Sequence, residues 1–179
     1  MPAANKPDSE ELDIILQQHA VRRESVDHGR FVAKIALKIA RELNKKDADL
    51  DEKLIEASAL LHDVLKGKAD HAVQGGRLLS ELGYPEIGKI IANHMDGKMK
   101  ISPNSFSELE VVFLADKLAH IDRFIAPQDR RRVVEEKFIN EPILLAQAIE
   151  RLQVTELLVE KLERITGMSL EKLAKDDLI

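Results

Sequence analysis

No cysteine occurs in this 179-residue chain, which excludes disulfides, thiolate zinc sites and cysteine nucleophiles. Aromatic residues make up only 3%, and there are just 8 glycines and 6 prolines, so a helical protein is expected over a sandwich or barrel. No apolar run reaches the roughly 18 residues of a membrane span. The opening Met1-Pro2-Ala3-Ala4-Asn5-Lys6-Pro7 is polar and lacks the apolar stretch of a signal peptide. A net charge of -5 disfavours non-specific nucleic-acid binding. What is present is 44% hydrophobic and 33% charged residues, in a length that fits one domain with a sizeable core. An all-α, cytoplasmic enzyme or binding domain is expected, with no membrane and no specific nucleic-acid partner.

Residues 1–8 read as a flexible tail, and nearly everything after them reads as helix. The first helix is expected from Glu10 to about Ala20, and a second from a Ser25 cap to about Leu43. A third runs from about Asp51 to Lys66-Gly67. Asp70 is placed to cap a fourth that ends at Leu82-Gly83, and Pro85 suits the first turn of a fifth. Gly97 to Asn104 is the longest irregular stretch. A sixth helix is expected from about Ser105 through Phe124, with Pro127 as breaker. A short basic helix with Arg130-Arg131-Arg132 follows, read as a solvated turn facing Glu135 and Glu136, with an anionic-ligand clamp as the alternative. Pro142 opens a long helix to about Ile165, Gly167 punctuates it, and Ser169 caps a short final one. The broad apolar surface of the long helix is expected to cover the core, with a homodimer face as the alternative.

The most informative residues are His62-Asp63, set in the apolar helical run Leu54 to Leu65. Burying a potential charge there is costly unless it is paired or binds a metal. Helical periodicity adds others. His28 shares a face with Phe31, Val32, Ile35 and Ile39. His71 aligns with Gly75, Leu78 and Leu82, and His94 follows Ile87, Ile90 and Ile91. Asp116 shares a stripe with Leu109, Val112 and Phe113. Taken singly, an inward histidine is more often a hydrogen-bonded core residue than a ligand, and an inward aspartate can simply cap a neighbouring helix. Together they put a ligand-type side chain on the inner face of five successive helices, which suits a metal held by imidazole and carboxylate: Fe, Mn, Zn, Ni or Co.

His28, His62-Asp63 and Asp116 together resemble the H…HD…D pattern of the HD-domain superfamily of metal-dependent phosphohydrolases. The motifs are Asp27-His28-Gly29-Arg30-Phe31, Leu60-Leu61-His62-Asp63-Val64-Leu65-Lys66 and Phe113-Leu114-Ala115-Asp116-Lys117-Leu118. The resemblance covers roughly Glu10 to Phe124. It implies a single HD-type helical domain, with a metal-binding core over 9–126 and C-terminal helices over 127–179 packed on it. His71 and His94 match the extra histidines of binuclear members. By that resemblance His28, His62, Asp63 and Asp116 hold one ion, while Asp63, His71 and His94 hold a second, Asp63 bridging. Two divalent transition ions are then implied, with Fe or Mn favoured and Zn, Ni or Co compatible. The stretch from Leu61 to Ala72 is also similar to HD domains attached to molybdenum-cofactor-type nucleotidyltransferases. Gly83-Tyr84-Pro85 has the letters of the cyclic-di-GMP-hydrolysing HD-GYP group. It precedes His94 by nine residues, however, and Met95 stands where a His-His pair would need its second histidine.

The expected activity is hydrolysis of a small phosphate ester or anhydride, nucleotide-like, by metal-activated hydroxide attack on phosphorus. Asp63 and Lys66 are the candidate catalytic residues. Lys66, four residues after His62, is placed to put a cation beside the phosphate. His120 and Arg123, read as one and two turns beyond Asp116 on its helix face, join Lys66 as substrate-binding candidates. An HD-type di-iron oxygenase and a nucleotide-sensing module without turnover are the alternatives.

Overall fold

The computed structural model describes residues 5–175, and over them the chain is all-α apart from one minimal hairpin. Residues 1–4, where the expected flexible tail begins, lie outside that range. Of its remainder, Pro7 is buried, Lys6 pairs with Asp51, and Asp8 caps the next helix. The helices are α1 (Ser9–Gln18), α2 (Arg23–Asn44), α3 (Glu52–Leu61), α4 (His71–Glu81), α5 (Pro85–Asn93) and α6 (Glu108–Lys117). The hairpin β1 (Ala119–His120) and β2 (Arg123–Phe124) follows, then α7 (Pro127–Lys137), α8 (Pro142–Thr166) and α9 (Leu170–Lys175).

Local signals set most of these starts. Asp8 and Ser107 each close a reciprocal capping box, with Glu11 and Glu110. Asp51 accepts from the Leu54 N–H. Pro85, Pro127 and Pro142 occupy first turns, where the missing N–H costs nothing. Two expected caps differ. Ser25 lies inside α2, which begins at Arg23, and Asp70 caps α4 with a left-handed backbone and no side-chain bond.

α2 is the central element. Its stripe Val32, Ile35, Ile39 and Leu43 packs between α3 and α6. There it meets Ile55, Phe113 and Leu114, with Leu158 and Leu162 of α8 closing the cluster. The long C-terminal helix thus covers the core, as its apolar surface implies. A second cluster, with Ile15, Leu61, Leu79, Tyr84, Ile87 and Ile91, joins α1 and α3 to the antiparallel-neighbour pair α4 and α5. The end of α3 lies where the two clusters meet.

The α4–α5 contact depends on glycine at the crossing. A Cβ on Gly76 would come within 2.7 Å of Ala92 Cβ, and closer still to the Gly88 carbonyl oxygen. Two backbones therefore touch there, and neither can yield as a side chain does. Gly76→Ala is expected to cost about 1–3 kcal/mol by overpacking. A thermal melt checks this; an unchanged midpoint would mean the crossing tolerates a methyl group.

Two helices stop earlier than the sequence implies, both beside the polar residues. α3 ends at Leu61, not at Lys66-Gly67, with His62 at its C-cap. The chain then tightens through three-residue bonds, Val64 N–H to Leu61 O and Lys66 N–H to Asp63 O. α6 ends at Lys117, not at Phe124. Its last carbonyls turn to other donors: the Arg130 guanidinium donates to Asp116 O (3.4 Å) and Ala119 O (3.0 Å), and Ile125 N–H to Leu118 O. No glycine or proline marks either stop. No helix among the described residues is long and apolar enough to cross a membrane.

Candidate metal centre

The early end of α3 is what brings His62 and Asp63 to one side. At the C-cap, His62 turns its ring back so that Nδ1 donates to the Ala59 carbonyl at 2.8 Å. Since a carbonyl only accepts, Nδ1 must carry a hydrogen, and Nε2 is the atom presented to the site. His94, at the end of α5, repeats the device with Ile91 O at 2.7 Å. His28 of α2 directs Nδ1 to Ile121 O at 3.0 Å. Ile121 sits in the left-handed region (φ 60°), unfavourable for a β-branched residue, at the turn that aims this carbonyl. Three imidazoles are thus held by backbone oxygens in the orientation that metal-ligating histidines commonly have.

The α2–α3 approach is equally specific. A Cβ on Gly29 would lie 2.7 Å from Leu60 O, so the helices meet closely just where His28 faces His62. Their ring centroids are 5.4 Å apart; His62 and His94 are 5.1 Å apart, and His71 and His94 5.6 Å. Asp116 Oδ1 lies 3.2 Å from His28 Nε2 and 3.5 Å from His62 Nε2. Asp63 divides its oxygens: Oδ2 is 3.3 Å from His62 Nε2, and Oδ1 is 3.4 Å from His71 Nε2. All six residues singled out as ligands therefore converge.

Potential ligand atoms of His28, His62 and Asp116 form one tight group, and those of His62, Asp63 and His94 another. Within each, the atoms lie within 4.8 Å of one another. These clusters are compatible with a divalent metal. His62 belongs to both, whereas the family resemblance gave the shared position to Asp63; the split oxygens of Asp63 nevertheless suit a carboxylate that faces two ways. His62 Nε2 is sealed from solvent and, despite its two carboxylate neighbours, is aligned for a hydrogen bond with neither. Buried polar atoms are seldom left so. Nitrogens from imidazoles, hard carboxylate oxygens and an unpartnered Nε2 between them fit a transition-metal ion.

The charges are tightly coupled. Burial pulls the His62 pKa down, but Asp116 and Asp63 outweigh it and raise the value to about 10. Burial raises the pKa of both carboxylates, and it too is overcome. His62, His71 and Lys66 hold Asp63 far below the carboxylate range, and Lys117, His28 and His62 do the same for Asp116. Burial, then the charge of His62, lowers His94 to about 3. A metal ion needs the His62 Nε2 lone pair and so displaces a proton. Between pH 6.5 and about 10, metal uptake is therefore expected to release a proton from His62 and to tighten as pH rises. Calorimetry in buffers of different ionisation enthalpy measures it; uptake without net proton release would show that His62 is not a ligand.

A cavity of about 620 Å³ opens over this cluster. Lys66 lies in its wall and pairs with Asp63 Oδ2. His120 lines it too, half-buried; burial followed by the charges of Arg130 and Arg123 lowers its pKa. Arg123 is absent from the wall: because α6 has already ended, it stands exposed on β2 opposite His120 and does not project from the Asp116 face. Three contributors were not legible as such. Lys117, only 6% exposed, pairs with Asp116 Oδ2. Its only sequence signal is a lysine directly after the motif aspartate in an otherwise apolar stretch. Met95 and Arg130 also line the cavity. The three consecutive arginines, read as one solvated turn, diverge. Arg131 pairs with Glu156 at 3.0 Å and Arg132 faces Asp129, while Arg130 turns inward.

A helical bundle with His and Asp side chains converging at the end of α3 defines a class of helical domain whose clustered ligand-type residues are compatible with a divalent metal. Within it, a family model for the HD domain matches residues 26–121, and the chain belongs to that family. The match speaks for the superfamily and not for the kinship with nucleotidyltransferase-linked domains. The chain is 26% identical over 187 residues to a tRNA (cytidine(56)-2'-O)-methyltransferase of Picrophilus torridus, a match to 95% of this chain and 50% of that protein. It is 31% identical over 75 residues to an uncharacterized protein of Methanocaldococcus jannaschii, 40% of this chain and 44% of that one. The chain thus spans half or less of the length of these curated relatives. No solved structure matches it.

Proposed function

We propose that this chain is a metal-dependent phosphohydrolase acting on a small, nucleotide-like phosphate ester or anhydride. The observation that carries the reading is the convergence of four imidazoles and two carboxylates around an unpartnered His62 Nε2, under a cavity rimmed with cations. His28, His62 and Asp116 would hold one divalent ion, and Asp63, His71 and His94 a second, with Asp63 facing both and Fe or Mn favoured. Bound there, such ions supply Lewis-acid activation of water and of a phosphoryl group.

The chain's own side chains do the rest. The backbone carbonyls of Ala59, Ile91 and Ile121 fix three ring orientations and so present Nε2 to the centre. Lys66 reaches Asp63 from the half-exposed rim, within reach of a phosphoryl oxygen on the cavity side. Lys117, from the buried side, holds the second oxygen of Asp116. Arg130 keeps the α6 terminus closed and leaves further N–H donors toward the cavity. The enclosed floor at His62 and His94 limits bulk water where the reacting phosphoryl would sit.

Elemental assay of freshly purified protein, with a screen of phosphate esters and anhydrides after loading with Mn or Fe, tests the reading. Bound transition metal with ester turnover is the expected result. No metal and no affinity for one would overturn it, as would oxygen consumption by the iron form without ester turnover.

A further inference from the structure

A smaller cavity of about 250 Å³ opens between α7 and α8 and shares Met95, Lys117, His120, Arg130 and Lys137 with the larger one. Its wall carries four cationic side chains, Lys117, Arg130, Lys137 and Arg151, together with His120, and contains no carboxylate. Lys117 is already paired with Asp116, whereas the other three have no carboxylate within ion-pair distance among the described residues; Asp116 and, for Arg151, Glu150 act on the two arginines only from farther away. Arg130 gives one N–H of each terminal nitrogen to a backbone carbonyl and keeps its other donors. Lys137 lies over the Phe138 ring, 5.0 Å from its centroid. The Arg151 guanidinium, on a half-buried residue, makes no hydrogen bond and no ion pair among the described residues. Burial lowers the pKa of both guanidinium groups.

Gathering unpaired cations in a partly desolvated wall is unfavourable unless an anion joins them. The nearby Asp116 cannot serve all of them, since His28, His62 and Lys117 already surround it. The space lies below the roughly 300–1,000 Å³ of a pocket for a whole small ligand, so it suits one group of a larger molecule. Two arginines, each with a planar fork of donors, suit a phosphate in particular. Val133, Val134 and Leu152 complete the wall and keep the site partly dry. Arg130, Lys137 and Arg151 lie beyond the residues 26–121 that match the HD family, so the C-terminal helices supply three of the four cations, while Met95, Lys117 and His120 come from the matched region.

We propose that the α7–α8 pocket is a second phosphate subsite, and that the molecule processed at the metal-type centre carries a further phosphate received by Arg130 and Arg151. That the occupant is the substrate rests on the phosphohydrolase reading; the phosphate site itself does not. Arg151 is the residue to test, because among the described residues its guanidinium holds no group by a hydrogen bond or ion pair.

Calorimetric titration of inorganic phosphate into the purified full chain is the primary experiment, with circular dichroism to verify folding. Arg151→Gln is expected to weaken phosphate binding by about tenfold or more, the scale of losing a charge-assisted hydrogen bond. Arg151→Lys should recover part of it, since it keeps the charge and loses the fork. A titration that superimposes on that of the native chain, or no saturable phosphate binding in the native chain, overturns the subsite. In the metal-loaded protein, Arg151→Gln should lower by a similar factor the preference for adenosine 3',5'-bisphosphate over p-nitrophenyl phosphate. An unchanged preference rejects the occupant as substrate. Weakened phosphate binding with neither ester hydrolysed would remove the phosphohydrolase reading and leave the subsite standing.

Discussion

Asp63→Ala is expected to lower kcat/KM for metal-dependent phosphohydrolysis by about 1000-fold or more, with bound metal falling in parallel. The size follows from what this one carboxylate faces. Oδ2 lies beside His62 and Lys66, and Oδ1 beside His71. Removing it takes away the carboxylate whose two oxygens face the His62 and His71 sides of the cluster. It also leaves the Lys66 ammonium and the His71 ring without their carboxylate, so the rim loses its order together with the ligand. Asp63→Asn keeps the shape and removes the charge, which separates a steric effect from an electrostatic one. Rates with added Mn or Fe, elemental content and circular dichroism are the measurements. Unchanged activity in a folded Asp63→Ala protein would end the assignment of this site as the reaction centre.

The largest expected effect on stability lies away from the cavity, at Lys161. This α8 lysine is 3% exposed and donates to Ser102 O (3.0 Å), Ser105 O (2.9 Å) and Glu110 Oε1 (2.8 Å). It also stands 4.0 Å from the centroid of the Phe106 ring. One ammonium thus ties the irregular stretch before α6 to α8, and neutralises a glutamate that closes the Ser107 capping box. Lys161→Met leaves Glu110 buried without its partner. Breaking a buried pair from one side costs about 3–5 kcal/mol. For a chain of this length that corresponds to a fall in Tm of about 6–20 °C. Adding Glu110→Gln to Lys161→Met should recover much of the loss, because no uncompensated charge then remains and the capping oxygen is kept. A single variant that melts within about 2 °C of the native chain would mean that the site rehydrates at little cost.

Lys161 also marks a limit of reading the sequence. In the pattern of α8 it looks like any lysine between apolar turns, and partners fifty or more residues away, the Ser102 and Ser105 carbonyls, the Phe106 ring and the Glu110 carboxylate, make it an interior residue. The stops of α3 and α6 have the same character. Apolar periodicity continues past Leu61 and past Lys117, and neither place carries a glycine or proline. The first helix ends because tight three-residue turns and the His62–Ala59 bond replace its ladder. The second ends because Arg130 and the hairpin take over its carbonyls. Misplacing that second stop is also what moved Arg123 onto the Asp116 face in the sequence reading.

The sequence by itself determined the all-α class, the near-full set of helices and the six residues that turn inward. Those features rest on local physics: caps, first-turn prolines, and a 3.6-residue period that places His28, His71, His94 and Asp116 on apolar stripes. Tertiary structure alone decided that the six meet in one place, that His62 Nε2 is left without a hydrogen bond, that Lys117 and Arg130 line the cavity over them, and that Arg151 lines the smaller pocket beside it. Each of those facts depends on partners distant along the chain, brought together by close backbone approach at Gly29 and by α7 and α8 folding back over α6. Charge and burial there are set by the neighbours that packing supplies, and helical periodicity carries no record of them.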